Sequence, residues 1–339
     1  MGSAKKSFLS LAHKTLLAAV IGGAFCLSVS VSHAATTFKL SNQFPPNHHV
    51  SAGIRLFADK VAEYSKGDIA VQVYDSGSLY RDAEIIKAIR GGSVEVGLVP
   101  VNKWSGLVPA VDIFDVPFAF KDLNSIKLFV EEAGPLLDQE FSRYGVKALY
   151  WVDYGYTQFF NGKRPLKTPD DFKGLTIRAF SAGDAETLKA LGAAPTIISS
   201  SEMYLSLQRG TIDGADTGMP AAVSRKVIEV QKYMTLANYA AAEFLVQANL
   251  KWWESLPPAQ QEIISKASKE AESFIRAEVG KAEKDAEDVV RKAGIEVYAL
   301  SAQDRLAFIK ATDIVRQAFL QKTGELGAKL VQIAEKASR

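Results

Sequence analysis

A two-unit α/β fold is expected for this 339-residue chain, and three features of the sequence carry that expectation. Short apolar runs rich in Val, Ile, Tyr and Phe alternate with stretches of helical period through the first two-thirds. The alternation restarts after Thr168-Pro169-Asp170-Asp171, a turn followed by a helix-start signal. The last third then holds one amphipathic stretch too long for a single small domain. Strands alternating with helices imply a largely parallel sheet with helices on its faces.

In chain order, residues 37–40, Ile69–Tyr74, 94–99 and 148–152 read as strands. Between them, 50–65 and 83–90 carry helical period, the second closed by Gly91-Gly92. In the second unit 175–180, 195–198 and 211–215 read as strands. Helices are expected over 183–191 and 203–209, the latter ended by Gly210. From Pro257-Pro258 to Gly294 only Gly280 interrupts a 3–4 spacing of apolar residues that includes Ile264, Ala267, Ala271, Ile275, Ala286 and Val290. About 36 helical residues reach roughly 54 Å, so this helix projects as a coiled coil or lies across two domains. Its charges, Glu283-Lys284-Asp285 among them, read as a solvated face. Residues 295–300 form a further strand, and Ser301 with Asp304 caps a last helix. A chain that crosses this late builds its domains from discontinuous segments, with a cleft at their interface.

The composition, 47% hydrophobic and 23% charged with a mean hydropathy of +0.01, fits neither a disordered chain nor a polytopic membrane protein. Forty basic and 38 acidic residues give +2, so charge supplies no general attraction for nucleic acid. Lys5, Lys6 and Lys14, an apolar run over 15–31 and Ser32-His33-Ala34-Ala35 together read as a secretory signal peptide over 1–34. An N-terminal membrane anchor is the alternative, disfavoured by Gly22, Gly23 and the serines that dilute the run. Phe25 before Cys26 does not fit a lipoprotein signal. Cleavage after Ala34 removes three lysines and moves the balance from +2 to −1. It also removes the only cysteine, His13 and His33.

The mature chain then has no thiol chemistry, and its only histidines are the adjacent His48 and His49, expected at an exposed helix start. No G-x-S-x-G, Walker A, G-x-G-x-x-G or H-E-x-x-H pattern occurs. Paired carboxylates for acid–base work remain open. Arg178 is the most informative residue, because it falls mid-strand in Leu175-Thr176-Ile177-Arg178-Ala179-Phe180 among residues suited to burial. A buried guanidinium needs a partner, and its planar fork fits a carboxylate supplied either by the protein or by a ligand. Ser199 and Glu202 fit a capping box, although the same helix start also suits an anion. Acids and glycines over 211–218 read as a turn, and the calcium-loop spacing is missing. Trp151, Tyr154, Tyr156, Phe159 and Phe160 read as core, part of which borders a cleft.

These same residues carry a resemblance. The run Phe172-Lys173-Gly174-Leu175-Thr176-Ile177-Arg178, then Ala190-Leu191-Gly192-Ala193-Ala194-Pro195-Thr196 and Ser201-Glu202-Met203-Tyr204, resembles one receptor family. With Gln208-Arg209-Gly210-Thr211-Ile212-Asp213-Gly214, Lys66-Gly67-Asp68-Ile69, Gly77-Ser78-Leu79, Gly92-Ser93-Val94-Glu95 and Leu256-Pro257, it is similar in collinear order to the DctP-type solute-binding proteins of TRAP (tripartite ATP-independent periplasmic) transporters. The resemblance implies a type II-like periplasmic binding fold of two α/β domains. Domain I is expected over 35–156 plus 243–284 and domain II over 157–242 plus 285–339, with the ligand cleft between them and a long helix across both. It implies that Arg178 clamps a ligand carboxylate, in a set with Gln158, Thr217, Ser181, Ser200, Asp216, Phe44, Trp104 and Tyr156.

Departures from the family pattern sharpen the expected ligand. Where relatives often place a second arginine, this chain has Tyr156-Thr157-Gln158-Phe159. An aromatic position is Ser200 and an asparagine position is Thr217. One cation among neutral hydrogen bonders suggests a monocarboxylate more than a dianionic C4-dicarboxylate. The resemblance further implies a periplasmic monomer that uses no cofactor or metal, binds no nucleic acid and delivers its ligand to small and large membrane subunits. A periplasmic enzyme acting on a small carboxylic acid is the competing reading.

Overall fold

The computed structural model describes residues 36–339, so the signal peptide reading lies outside the described residues. In order, the elements are β1 Thr36–Ser41, α1 His49–Tyr64, β2 Ile69–Tyr74, α2 Ile85–Arg90, β3 Val96–Pro100, α3 Leu123–Ser142 and β4 Val146–Asn161. There follow β5 Thr176–Ala179, α4 Ala182–Ala190, β6 Ala194–Ile197, α5 Met203–Gln208, β7 Gly214–Gly218, α6 Met219–Ser224 and β8 Tyr233–Leu236. The last are β9 Ala241–Asn249, α7 Leu250–Ser255, α8 Pro258–Lys292, β10 Glu296–Ala299 and α9 Ala302–Ala337. Short 3-10 turns fill 101–104 and 109–115.

The strands run β2-β1-β3-β9-β4-β7-β5-β6, with β8 on β4 and β10 on β8. Both ends are parallel, as the strand–helix alternation requires. The middle is not: β9 is antiparallel to both β3 and β4, and β4 to β7. β4 is the reason. It pairs with β9 from Val146↔Asn249 to Tyr156↔Ala241, then with β7 from Thr157↔Gly218 to Asn161↔Gly214. One long strand therefore belongs to two sheet halves, and a lobe forms about each.

Each lobe has a core on both sheet faces. In the first, Phe57 of α1 packs with Phe38 and Val246 on the face that α8 also covers, while Phe129 and Phe141 of α3 pack with Trp104 in the other cluster. In the second, Phe159, Phe172 and Leu188 form one cluster and Phe160, Met203 and Ile212 the other. α8 supplies Ile264, Ala271 and Ile275 to the first lobe and Ala286 and Val290 to the second. The long helix thus lies across both lobes. Of its expected solvated charges, Lys284 and Asp285 are exposed, but Glu283 turns inward against Gly155. α9 is also shared, contrary to the expectation that 285–339 belongs to the second lobe. Phe308 packs with the second lobe, whereas Phe319, Leu330 and Val331 pack with the first, beyond or around a break at Gly324 (φ 58°).

Among the described residues no helix is long and apolar enough to cross a membrane. The sequence reading assigns no element to 123–142, where α3 runs through Pro135, or to 241–249, where β9 forms the centre of the sheet.

Candidate functional site

β5 places Arg178 between β6 and β7, with its side chain 1% exposed. Nε donates to Ile198 O at 3.0 Å, Nη1 to Asp216 O at 2.9 Å and Nη2 to Ser200 Oγ at 3.0 Å. Its face lies 4.9 Å over the Phe180 ring. Among the described residues, these bonds use three of the five guanidinium N–H donors. The fork is fixed in place with donors to spare. Asp216 Oδ1 lies 3.6 Å from Nη1, so a protein counter-charge is also present.

Ser200 is itself held by Asp82, whose carboxylate accepts from the Ser200 amide at 3.0 Å and from the Ser199 hydroxyl. Burial works against charge on Asp82, but Lys103, Ser199 and Ser200 outweigh it and hold the carboxyl below its ordinary value. The expected Ser199–Glu202 capping box is therefore absent. Ser199 is occupied by Asp82, and Glu202 pairs with Arg81 at 2.8 Å.

These groups border a small, largely enclosed cavity. Phe44, Phe180 and Phe244 give it apolar walls, and Tyr154, Thr157, Ser200 and Thr217 give it hydroxyls. Two cations line it, Arg178 and Arg225. Arg225, at the end of α6, donates to Gln43 O at 2.6 Å and Ser200 O at 3.3 Å and lies 5.6 Å over Phe44. Tyr154 accepts from the Gly218 amide at 2.8 Å and meets Thr217 Oγ1 at 3.2 Å, which fixes the hydroxyl edge. A preformed pair of guanidinium forks, Arg178 buried and Arg225 half-buried, between aromatic walls is suited to hold a small anion by its oxygens.

Of the residues expected from sequence, Arg178, Thr217, Ser200 and Phe44 line this cavity, and Asp216 stands directly behind Arg178. The other four do not line it. Gln158 donates to Asn238 Oδ1 at 2.6 Å and accepts from the amides of Ala237 and Asn238, which ties the 237–238 loop to β4. Trp104 donates to Gln247 Oε1 at 3.0 Å inside the first-lobe core, and Tyr156 packs in the same cluster. Ser181 caps α4 and donates to Asp115 Oδ2 at 2.5 Å. Asp216 lies in β7 itself, not in the turn expected over 211–218. His48 does start a helix, accepting from the Val50 amide, but it is 2% exposed and stacks on Phe44 at 4.1 Å. Burial pushes its pKa well below the ordinary value, and that of His49 to about 4.

Arg225 is the main residue that the sequence reading misses. The family model described as bacterial extracellular solute-binding protein, family 7, matches residues 40–323. The chain belongs to that family. It is a TRAP-type solute-binding protein, a receptor and not an enzyme. The C4-dicarboxylate-binding periplasmic protein DctP of Rhodobacter capsulatus is 29% identical, over 92% of this chain and 95% of its own. The 2,3-diketo-L-gulonate-binding periplasmic protein YiaO of Escherichia coli is 29% identical, over 85% of this chain and 88% of its own. A TRAP solute-binding protein from Sulfurospirillum deleyianum, solved with succinate, superposes at a TM-score of 0.85 with 28% identity, covering 90% of this chain and 99% of that one.

Proposed function

We propose that this receptor captures a small organic acid by its carboxylate and delivers it to the membrane subunits of a TRAP transporter. The observation that carries the reading is Arg178, buried at the cavity wall with its fork held open by three protein acceptors. The relatives named for C4-dicarboxylates and 2,3-diketo-L-gulonate, and the neighbour solved with succinate, support an acid as ligand. The ligand-binding residues on this reading are Arg178, Arg225, Thr217, Ser200 and Phe44, with Asp216 behind them.

The expectation of a monocarboxylate rested on a single cation, and Arg225 removes that ground. The reading that fits the cavity is an acid with one carboxylate on Arg178 and a polar far end, hydroxyl, keto or carboxylate, facing Arg225. The lobes close about the ligand, and they favour the closed state to the extent that the ligand binds it better. Export with cleavage after Ala34 and action as a monomer belong to the same reading.

A thermal-shift screen of organic acids, with mass spectrometry of the ligand recovered from purified protein, tests it. Stabilisation by organic acids and their recovery unchanged are expected. A neutral or cationic recovered ligand, or chemical turnover of the acid, overturns the reading.

A further inference from the structure

Behind Arg178 lies a group of acids that anion capture does not itself use. Asp216 of β7, Asp184 of α4 and Asp115 of the 109–115 turn are all buried, as is Tyr239. The Tyr239 hydroxyl oxygen lies 3.2 Å from Asp184 Oδ1 and 3.0 Å from Asp216 Oδ2. A phenol has one hydrogen. If it is donated to one carboxyl, the other contact is a hydrogen bond only when that carboxyl carries a hydrogen of its own.

The remaining oxygens tell the two acids apart. Asp184 Oδ2 is buried with no hydrogen-bond partner among the described residues. Asp216 Oδ1 has no hydrogen-bond partner among the described residues either, but it faces the Arg178 guanidinium, with Nη1 at 3.6 Å. Ionised, Asp184 would be a second buried anion beside the first, without a cation of its own.

We infer that Asp184 is held as the neutral acid in the Tyr239–Asp216 array, and that its proton spares the region behind Arg178 a further negative charge beside Asp216. Asp184 is then a positioning residue that acts on the anion site through Asp216 and Arg178. With the proton present, Arg178 and Asp216 balance. Without it, the acids outweigh Arg178 and oppose an incoming anion. Protonation itself does not depend on the ligand reading; only this consequence rests on it.

The charged and titratable groups facing Asp184 come from every side of the array. They are Asp216, Arg178 from β5, Asp115, Tyr239 from the loop before β9, and Lys103 from the 101–104 turn. Farther out, Lys322 of α9 is committed to Asp112 at 2.9 Å. Burial first, then Asp216 and Asp115, raise Asp184 well above the ordinary carboxyl value, against the pull of Arg178.

Carboxyl carbon NMR of the ligand-free protein labelled with 13C-aspartate tests this directly. At pH 7, one resonance at the neutral-acid position is expected to be absent from Asp184→Asn. Through-bond assignment from the Asp184 amide gives the same reading without relying on the variant to fold. An Asp184 carboxyl at the anionic position at pH 7 overturns the inference.

Discussion

Arg178 shows how far one residue can be read. A charge in mid-strand among Ile177, Ala179 and Phe180 announces itself, because burial of an unpaired guanidinium is prohibitive. Sequence left a protein partner and a ligand open, and the structure shows the protein partner together with spare donors at a cavity. Loss of Arg178 therefore has two costs. Charge-assisted bonds contribute about 1.5–3 kcal/mol each, so Arg178→Ala is expected to weaken acid binding by at least about 100-fold in calorimetry. It also leaves Asp216 buried without its cation, a break that costs about 3–5 kcal/mol and lowers the melting temperature. Arg178→Lys separates the two: a point charge restores much of the stability but lacks the fork, so affinity stays low. Near-wild-type affinity in Arg178→Lys would sink the clamp assignment. Arg225 was not legible, since Ser224-Arg225-Lys226 looks like any helix end. Its place at the cavity is fixed by Gln43 and Phe44, far away in sequence. Arg225→Gln is expected to weaken acids with a second carboxylate by roughly 10-fold or more relative to those with one. An unchanged ratio between the two classes would show that Arg225 does not meet the far end of the ligand.

At the scale of elements, periodic segments were legible and compensated ones were not. α8 was read because Ile264, Ala267, Ala271 and Ile275 keep one face apolar over many turns. α3 was missed: Gly134-Pro135 breaks the pattern, and its capping pair is Asp122 with Ser125 and not the usual Glu or Gln. β9 was missed because its alternation is blurred by Glu243 and Gln247, both buried. The crossing of β4 between lobes turns on Gly155, which has φ 109° at a register shift against β9. A Cβ there would run into the Glu283 carboxylate of α8. Gly155→Ala combines an unfavourable backbone conformation, worth roughly 1–3 kcal/mol, with this collision. A lower urea midpoint with an unchanged slope is expected. A midpoint equal to wild type would mean that the strand and α8 move apart easily at the crossing.

On the scale of the whole molecule, the two-lobe plan was legible from α8, but the sharing of α9 was not, because which core its apolar residues enter is decided by tertiary packing alone. The same packing buries carboxyls in numbers that no local pattern reveals. Burial raises Glu283 to about 8 and Asp115 to about 7, and it pushes Glu243 and Asp184 well above their ordinary values. An acid whose pKa is raised on folding contributes stability that is complete below its unfolded value. That contribution is lost as pH rises through the folded value. The histidines work in the opposite sense: His49 falls from 6.5 to about 4, and His48 falls too. Their contribution is complete above 6.5 and is lost only as pH falls. Between pH 6.5 and 8.5 the histidines are therefore silent while Asp115 and Glu283 give up protons. The melting temperature is expected to fall across that interval, by roughly 2–4 °C or less for each kcal/mol lost in a chain of this size. Glu283→Gln, which cannot ionise, should flatten the slope. A melting temperature that holds steady or rises from pH 6.5 to 8.5 would show that these buried carboxyls are already ionised in the folded protein.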